Sequence, residues 1–379
     1  MQSPGWRPGP ASGKKAVLAV ASAQEPVRLA LLFSRITKHK LIPENVSAVF
    51  AATKCVRNVP SMYGNRHFSG GSASRENKGG DSVKKTVVVE APAKINLFLD
   101  ITGKRADGYH LLHSVMQSID LSDKIILSRM SGRGIYISCS RARIPCDENN
   151  LAHRAASRFL EAFGLKPDFA LSIDLEKSIP SQAGLGGGSS DAAAVLVGLN
   201  AMFGIHADRE ALCRVGLPIG ADVPFCIMGG TMGVTGIGER LEPLAPMPDC
   251  EIVLAKPERG VDTASAFRAY DALKSRPQIP GKEALLQSLD TGDLNGLASG
   301  MGNVLEAACP VPEVRQLKER MLQAGALGAA MSGSGSAVYG LFDKRPLAKR
   351  CMRKLYELSE SVFLVRPIAR GVRVVRTAE

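Results

Sequence analysis

Ile95, Leu97, Leu99 and Ile101 alternate with Asn96, Phe98 and Asp100. That period of two predicts a strand over 93–101 with one face in a core. Thr86–Glu90, Ser114–Ile119, Lys124–Ser128, Ile135–Cys139 and Asp168–Leu175 read as further strands. Leu151, Ala155, Phe159 and Phe163 form one apolar stripe on a helix from about Asn150 to Phe163, with Gly164 to end it. A second helix, about Ser190 to Phe203, is stopped by Gly204. Beyond Pro246 the pattern predicts a strand at Glu251–Ala255, helices near 262–275, 283–289, 303–308 and 312–323, and strands at 336–342 and 361–367. Strands and helices run mixed in both halves, so the fold class is α+β. Pro243, Pro246 and Pro248 mark a boundary between a first domain, 86–246, and a second, 247–379.

Residues 1–85 carry no such period, and charge separates them from the rest. They hold 14 Lys and Arg against 4 Asp and Glu, whereas residues 86–379 hold 34 against 32. The net charge of +12 therefore resides in a basic leader, and the body is nearly neutral. A neutral body argues against nucleic acid as a partner. The leader is rich in Gly, Pro and Ser and buries too little apolar surface to offset its ordering entropy. It reads as a disordered targeting segment. Lys14 and Lys15 precede an apolar run, Ala16 to Ala23, like a short signal peptide ahead of a second targeting stretch. An untranslocated tail is the alternative. No run of ~18 apolar residues occurs, so no membrane span is expected. The eight Cys contain no Cys-x-x-Cys and the six His no His-Glu-x-x-His. A zinc site or disulfide framework is disfavoured, and the expected compartment is reducing.

The chemistry concentrates in Pro180-Ser181-Gln182-Ala183-Gly184-Leu185-Gly186-Gly187-Gly188-Ser189-Ser190, between a strand and a helix. Glycines let backbone N–H groups approach a ligand, and the helix start adds unpaired donors and the positive end of its dipole. The segment predicts a polyanion site, most simply nucleotide phosphates; a flexible loop capped by Ser189 or Ser190 is the alternative. Gly-x-x-x-x-Gly-Lys-Ser/Thr is absent, and Gly184-Leu-Gly186 lacks the third glycine of the dinucleotide fingerprint. Eukaryotic protein kinase signatures are also absent.

Pro-x-x-x-Gly-Leu-Gly resembles the galactokinase, homoserine kinase, mevalonate kinase and phosphomevalonate kinase superfamily. The resemblance extends in order to Ala91-Pro-Ala-Lys-Ile-Asn-Leu-Phe-Leu99 and Ala330-Met-Ser-Gly-Ser-Gly-Ser336. Gly103-Lys-Arg-Ala-Asp-Gly-Tyr-His110 and Gly220-Ala-Asp-Val-Pro-Phe225 narrow it to the 4-diphosphocytidyl-2-C-methyl-D-erythritol kinases of the non-mevalonate isoprenoid route. It covers about 86–345 well and the carboxyl end loosely. Gln182 stands where this family often has a small residue.

This resemblance implies a two-lobed kinase, a ribosomal-protein-S5-like domain followed by a ferredoxin-like domain. It also implies ATP as phosphoryl donor, with Mg²⁺ held mainly by phosphates and water. Asp222 would be the base and Lys94 the cation beside it; spacing alone leaves a turn aspartate and a solvated lysine open. Tyr109 would stack on a cytosine that His110 hydrogen-bonds, with Phe267 on the opposite face; packing, a surface imidazole and helix core are the bland alternatives. Asn96 shares Lys94's strand face, and Thr263 lies one turn before Phe267. Asn150 and Lys177 match positions near the adenine. Ser332, Gly333, Ser334 and Gly335 form a second turn that would meet phosphate or the first glycine loop. The expected partners are ATP and a small molecule carrying a cytidine diphosphate group, to a monomer or homodimer. The leader would direct it to a plastid rather than a mitochondrion. Another kinase of the superfamily, or a silent sensor, is the alternative.

Overall fold

The structure, a computed structural model, describes residues 85–359 and 361–378; the leader lies outside them. The elements in chain order are β1 (Thr86–Lys104), β2 (His110–Met130), β3 (Ile135–Cys139), α1 (Leu151–Ala162), β4 (Ala170–Glu176) and α2 (Gly187–Phe203). Then come α3 (Arg209–Gly216), α4 (Val223–Met228), β5 (Thr231–Gly236), β6 (Arg240–Pro243), β7 (Glu251–Lys256), α5 (Thr263–Asp271), α6 (Lys282–Thr291) and α7 (Leu294–Gly300). The remainder are β8 (Gly302–Asn303), α8 (Pro312–Gln323), β9 (Gly328–Met331), β10 (Val338–Phe342), α9 (Arg345–Leu355), β11 (Ser361–Val365) and β12 (Arg373–Ala378). Val304–Ala308 is a 3₁₀ turn rather than the α-helix predicted there. No helix among the described residues is long and apolar enough to cross a membrane.

The predicted strands at 86–90 and 93–101 are one strand, as are those at 114–119 and 124–128. β1 and β2 pair antiparallel from Thr86↔Ser128 to Lys104↔His110. The register shifts at Pro92/Ala93, which lets one long ribbon bend where the pattern suggested two strands. β1 feeds three cores in succession through its odd positions. Val87 and Val89 pack with α1 and α2. Ile95 and Leu97 pack under the second sheet. Leu99 and Ile101 join the cluster around α8 and α9.

The second sheet runs β11-β7-β10-β9, antiparallel throughout. Numbered within this lobe the order is 4-1-3-2, with α8 and α9 as crossovers, which is the ferredoxin-like arrangement expected. Val253 and Ala255 face Leu317, Met321, Ala348 and Cys351. The alternate residues Ile252 and Leu254 face Ile95, Leu97 and Leu285. Both faces are covered, so these strands read as continuous apolar runs.

The second domain is not the contiguous stretch 247–379. After Val365 the chain leaves this sheet: Ile368 N–H donates to Ser118 O at 2.9 Å and Val372 N–H to Cys226 O at 3.0 Å. β12 then pairs with β1 over Thr86–Glu90.

Candidate active site

Polar side chains on the even face of β1 stand in the middle of a buried ribbon, so they must find partners. Lys94 and Asn96 are 4% and 0% exposed. Asn96 Oδ1 accepts from Lys94 Nζ at 2.7 Å, and Nδ2 donates to Ser114 Oγ at 2.8 Å. Ser114 Oγ in turn donates to the carbonyl of Phe98 at 2.6 Å. The chain of bonds fixes the ammonium of Lys94, whose Nζ is 3.5 Å from Asp222 Oδ2. Asp222 sits in the N-cap position of α4, yet its side chain makes no capping bond. The turn-aspartate alternative therefore lacks the hydrogen bond that defines it. The carboxylate is instead free to face Lys94 and is 31% exposed.

Gly186 begins α2 in the left-handed region, φ 70°, without a side-chain cap bond. Ser190 does not supply one: its Oγ donates to Pro92 O at 2.7 Å. The first-turn N–H groups of α2 thus end in an open cleft at the positive end of a 17-residue helix. The glycines also answer to the protein itself. A Cβ on Gly184, φ 73°, would lie 1.9 Å from the carbonyl oxygen of Ser332, and one on Gly186 3.0 Å from Lys94 Cγ. One on Gly187 would meet Ile179 at 3.1 Å and Lys177 Nζ at 3.6 Å, both on the cleft wall. Gln182, the departure from small residues, takes φ 52°, and its carbonyl accepts from Val261 N–H at 3.2 Å.

The second turn meets the first loop. Ser332 Oγ accepts from Asn96 N–H at 3.3 Å and donates to Gly184 O at 2.9 Å. Ala337 N–H donates to Ala183 O at 3.1 Å. Asn303 Nδ2 braces the turn from behind, donating to Met331 O and Gly333 O. Gly333 and Ser334 line the cleft, whereas Ser332, Gly335 and Ser190 are outside its lining.

That cleft, about 1020 Å³, is lined by Lys94, Asn96, Pro180 to Ser189 and Asp222 at one end and by Tyr109, His110, Thr263 and Phe267 at the other. Tyr109, on the turn between β1 and β2, is 61% exposed. The His110 ring stacks on Phe267, centroids 4.8 Å apart and planes at 21°. His110 Nε2 is 2.7 Å from Asp271 Oδ1, and Lys104 Nζ is 2.6 Å from Asp271 Oδ2. Hydrogen bonds from Lys104 and His110 hold the Asp271 carboxyl below its ordinary range. His110 is therefore committed through one ring nitrogen to a carboxylate, not free at both for a base. Thr263 Oγ1 lies 3.1 Å from Ser334 Oγ, joining α5 to the second turn.

Asn150 and Lys177 also line the cleft, but with their side chains spent on the protein. Asn150 caps α1, accepting from Ala152 N–H at 2.9 Å and donating to Pro145 O at 2.7 Å. Lys177 Nζ donates to both Asp123 and Asp191. Burial opposes its charge, but the two carboxylates outweigh that and raise its pKa. Burial pushes Asp191 up to about 8, against the pull of Lys177. Its Oδ1 has no hydrogen-bond partner among the described residues.

Sequence reasoning missed Asp271, Lys104, Ser114 and the Asp123–Lys177–Asp191 cluster. Asp271 had a signal: it lies four residues after Phe267, on the same helix face. Asp123 had none, because only the fold brings it to Lys177. Among the described residues no group of three His, Cys, Asp or Glu is arranged to hold a metal ion.

Comparison with known proteins gives the chain's family. Residues 150–230 match the GHMP kinases N terminal domain and residues 283–359 the GHMP kinases C terminal domain. A 4-diphosphocytidyl-2-C-methyl-D-erythritol kinase of Exiguobacterium sibiricum is 44% identical over 283 residues, 74% of this chain and 98% of that protein. One of Clostridium botulinum is 41% identical over 282 residues, covering 74% and 99%. A crystal structure of a 4-(cytidine 5'-diphospho)-2C-methyl-D-erythritol kinase superposes with a TM-score of 0.62 at 36% identity, covering 74% of this chain and 98% of that one. Homoserine kinase from Cytophaga hutchinsonii shares the fold, TM-score 0.61, at 20% identity over 80% of this chain and 100% of its own. With relatives this similar matched almost end to end, the chain belongs to the 4-diphosphocytidyl-2-C-methyl-D-erythritol kinase family of the GHMP kinases.

Proposed function

We propose that the chain transfers the γ-phosphoryl group of ATP to the 2-hydroxyl of 4-diphosphocytidyl-2-C-methyl-D-erythritol, giving the 2-phosphate and ADP on the non-mevalonate route to isopentenyl diphosphate. The observation that carries this reading is the Asp222–Lys94 pair, 3.5 Å apart, in one cleft with the uncapped start of α2 and a cluster of aromatic rings. The uncapped N–H groups bind the triphosphate. Asp222 takes the proton of the attacking hydroxyl as the oxygen bonds to the γ-phosphorus and ADP departs. Lys94, already fixed by Asn96, meets the developing charge without reorganising. The donor set near the loop, one carboxylate about one-third exposed with serine hydroxyls, suits a Mg²⁺ that keeps most of its ligands from phosphate and water.

The aromatic end supports a substrate with a base to stack, which homoserine and mevalonate lack. ADP release by residues 86–379 with a panel of alcohols tests the assignment. Activity confined to the cytidyl diphosphate alcohol is expected; turnover of homoserine or mevalonate instead would overturn it. We also infer that residues 1–85 deliver the body to a plastid, stromal or apicoplast-like, on the strength of their 14 basic against 4 acidic residues. A fluorescent protein carrying residues 1–85 should enter that organelle; cytosolic retention would refute this.

A further inference from the structure

α5 places Phe267 and Asp271 four residues apart on one face, where both meet the same imidazole. Both oxygens of Asp271 are engaged, Oδ2 by Lys104 Nζ at 2.6 Å and Oδ1 by His110 Nε2 at 2.7 Å. An ionised carboxylate only accepts, so the proton in the second bond is carried by Nε2 of His110. In a neutral imidazole the other nitrogen, Nδ1, is then an acceptor. The ring is held twice, by the carboxylate and by its stack on Phe267, so it cannot easily exchange its two nitrogens. Its side chain is 10% exposed, it lines the cleft, and Nδ1 has no hydrogen-bond partner among the described residues.

We propose that Asp271 decides which base the cleft accepts: by receiving the Nε2 proton of His110 it leaves Nδ1 as an acceptor, and the pocket selects a pyrimidine with an amine at position 4 over one with a carbonyl there. The inference rests on the reading that a cytidyl group occupies the aromatic end of the cleft. Cytosine offers an N–H donor to Nδ1, whereas uracil presents a second acceptor and leaves both groups unpaired. Asp271 acts through His110 and is a positioning residue.

The test is kcat/KM of the full chain at saturating ATP, with the cytidyl substrate and its uridyl counterpart, for the wild type and Asp271→Asn. The amide of Asn can donate as well as accept, so His110 is free to take either tautomer. The wild type should prefer the cytidyl substrate by about 10–100-fold, and Asp271→Asn should bring the two within about threefold, chiefly by gaining on the uridyl one. Asp271→Ala, whose melt reports whether the fold survives, should lose the preference as well. An equal fall on both substrates, with the preference kept, would mean Asp271 merely supports the fold and overturns the inference alone. A wild type inactive on the cytidyl substrate would overturn the functional reading, and this inference with it.

Discussion

Asp222 and Asp191 are two carboxylates of one cleft in opposite surroundings, and each makes its own prediction. Asp222, the proposed base, is about one-third exposed and faces the ammonium of Lys94. Asp222→Asn should lower kcat by ~10²–10⁴-fold. Both KM values should stay within about threefold, because the lost interaction belongs to the transition state. Steady-state kinetics over both substrates decides it; a kcat near that of the wild type would move the base elsewhere. Asp191 is buried, and its burial pushes it up to about 8. Between the ordinary carboxylate range near pH 4 and pH 8, the native state holds a proton there that the unfolded chain has released. Stability from this group is therefore greatest below that window and is lost as pH rises through it. Denaturation of the wild type and Asp191→Asn from pH 5 to 9 should show the wild type losing ground by at most about 1.4 kcal/mol per pH unit, then levelling off above pH 8. At this scale the sequence spoke through residue types that need explanation, such as a lysine and an asparagine inside a strand. It was silent on Asp123, because its contact with Lys177 spans 54 positions.

Elements were legible where their pattern was amphipathic and obscure where both faces are buried. α1 was read within a residue or two, since its buried Ala152, Ala155, Ala156 and Phe159 share one stripe. β9 and β10 carry little such contrast, because every residue in them is buried; β9 was missed altogether. β12 was missed for the converse reason: its pattern is mostly exposed and it pairs only with a strand 283 positions away at Glu90↔Arg373. The glycine loop was found, but not its support. Ser332 holds that loop to β1 by one bond accepted from Asn96 N–H and one donated to Gly184 O. Ser332→Ala should leave two buried backbone groups unpaired, at a cost of about 1–3 kcal/mol. It should also loosen the loop and raise the ATP KM by about 3–10-fold, with a smaller effect on the alcohol. Denaturant titration and kinetics read the two effects; a stable protein with an unchanged ATP KM would show that the loop stands without its brace.

At the scale of the molecule, the chain closes on itself. β12 covers the edge of β1, and Val372 is fully buried among residues of the first sheet. Ending the chain at Gly371 should remove about 1.5–3 kcal/mol of side-chain burial and also expose a strand edge that pairs with other chains. A lower melting temperature with increased light scattering is expected; an unchanged melt would mean that the first lobe is complete without its last strand. The groups proposed for transfer and those proposed for recognition, meanwhile, are housed in different parts of this closed body. The groups proposed to move the phosphoryl group belong to the middle of β1, the start of α2 and the start of α4, each braced by the second turn or by the core. Those proposed to hold the base sit at the tip of the β1–β2 ribbon and on α5. Mutation can therefore explore new alcohols at the tip and helix while the transferring machinery stays fixed. A lineage built this way can diversify its substrates without reinventing its chemistry.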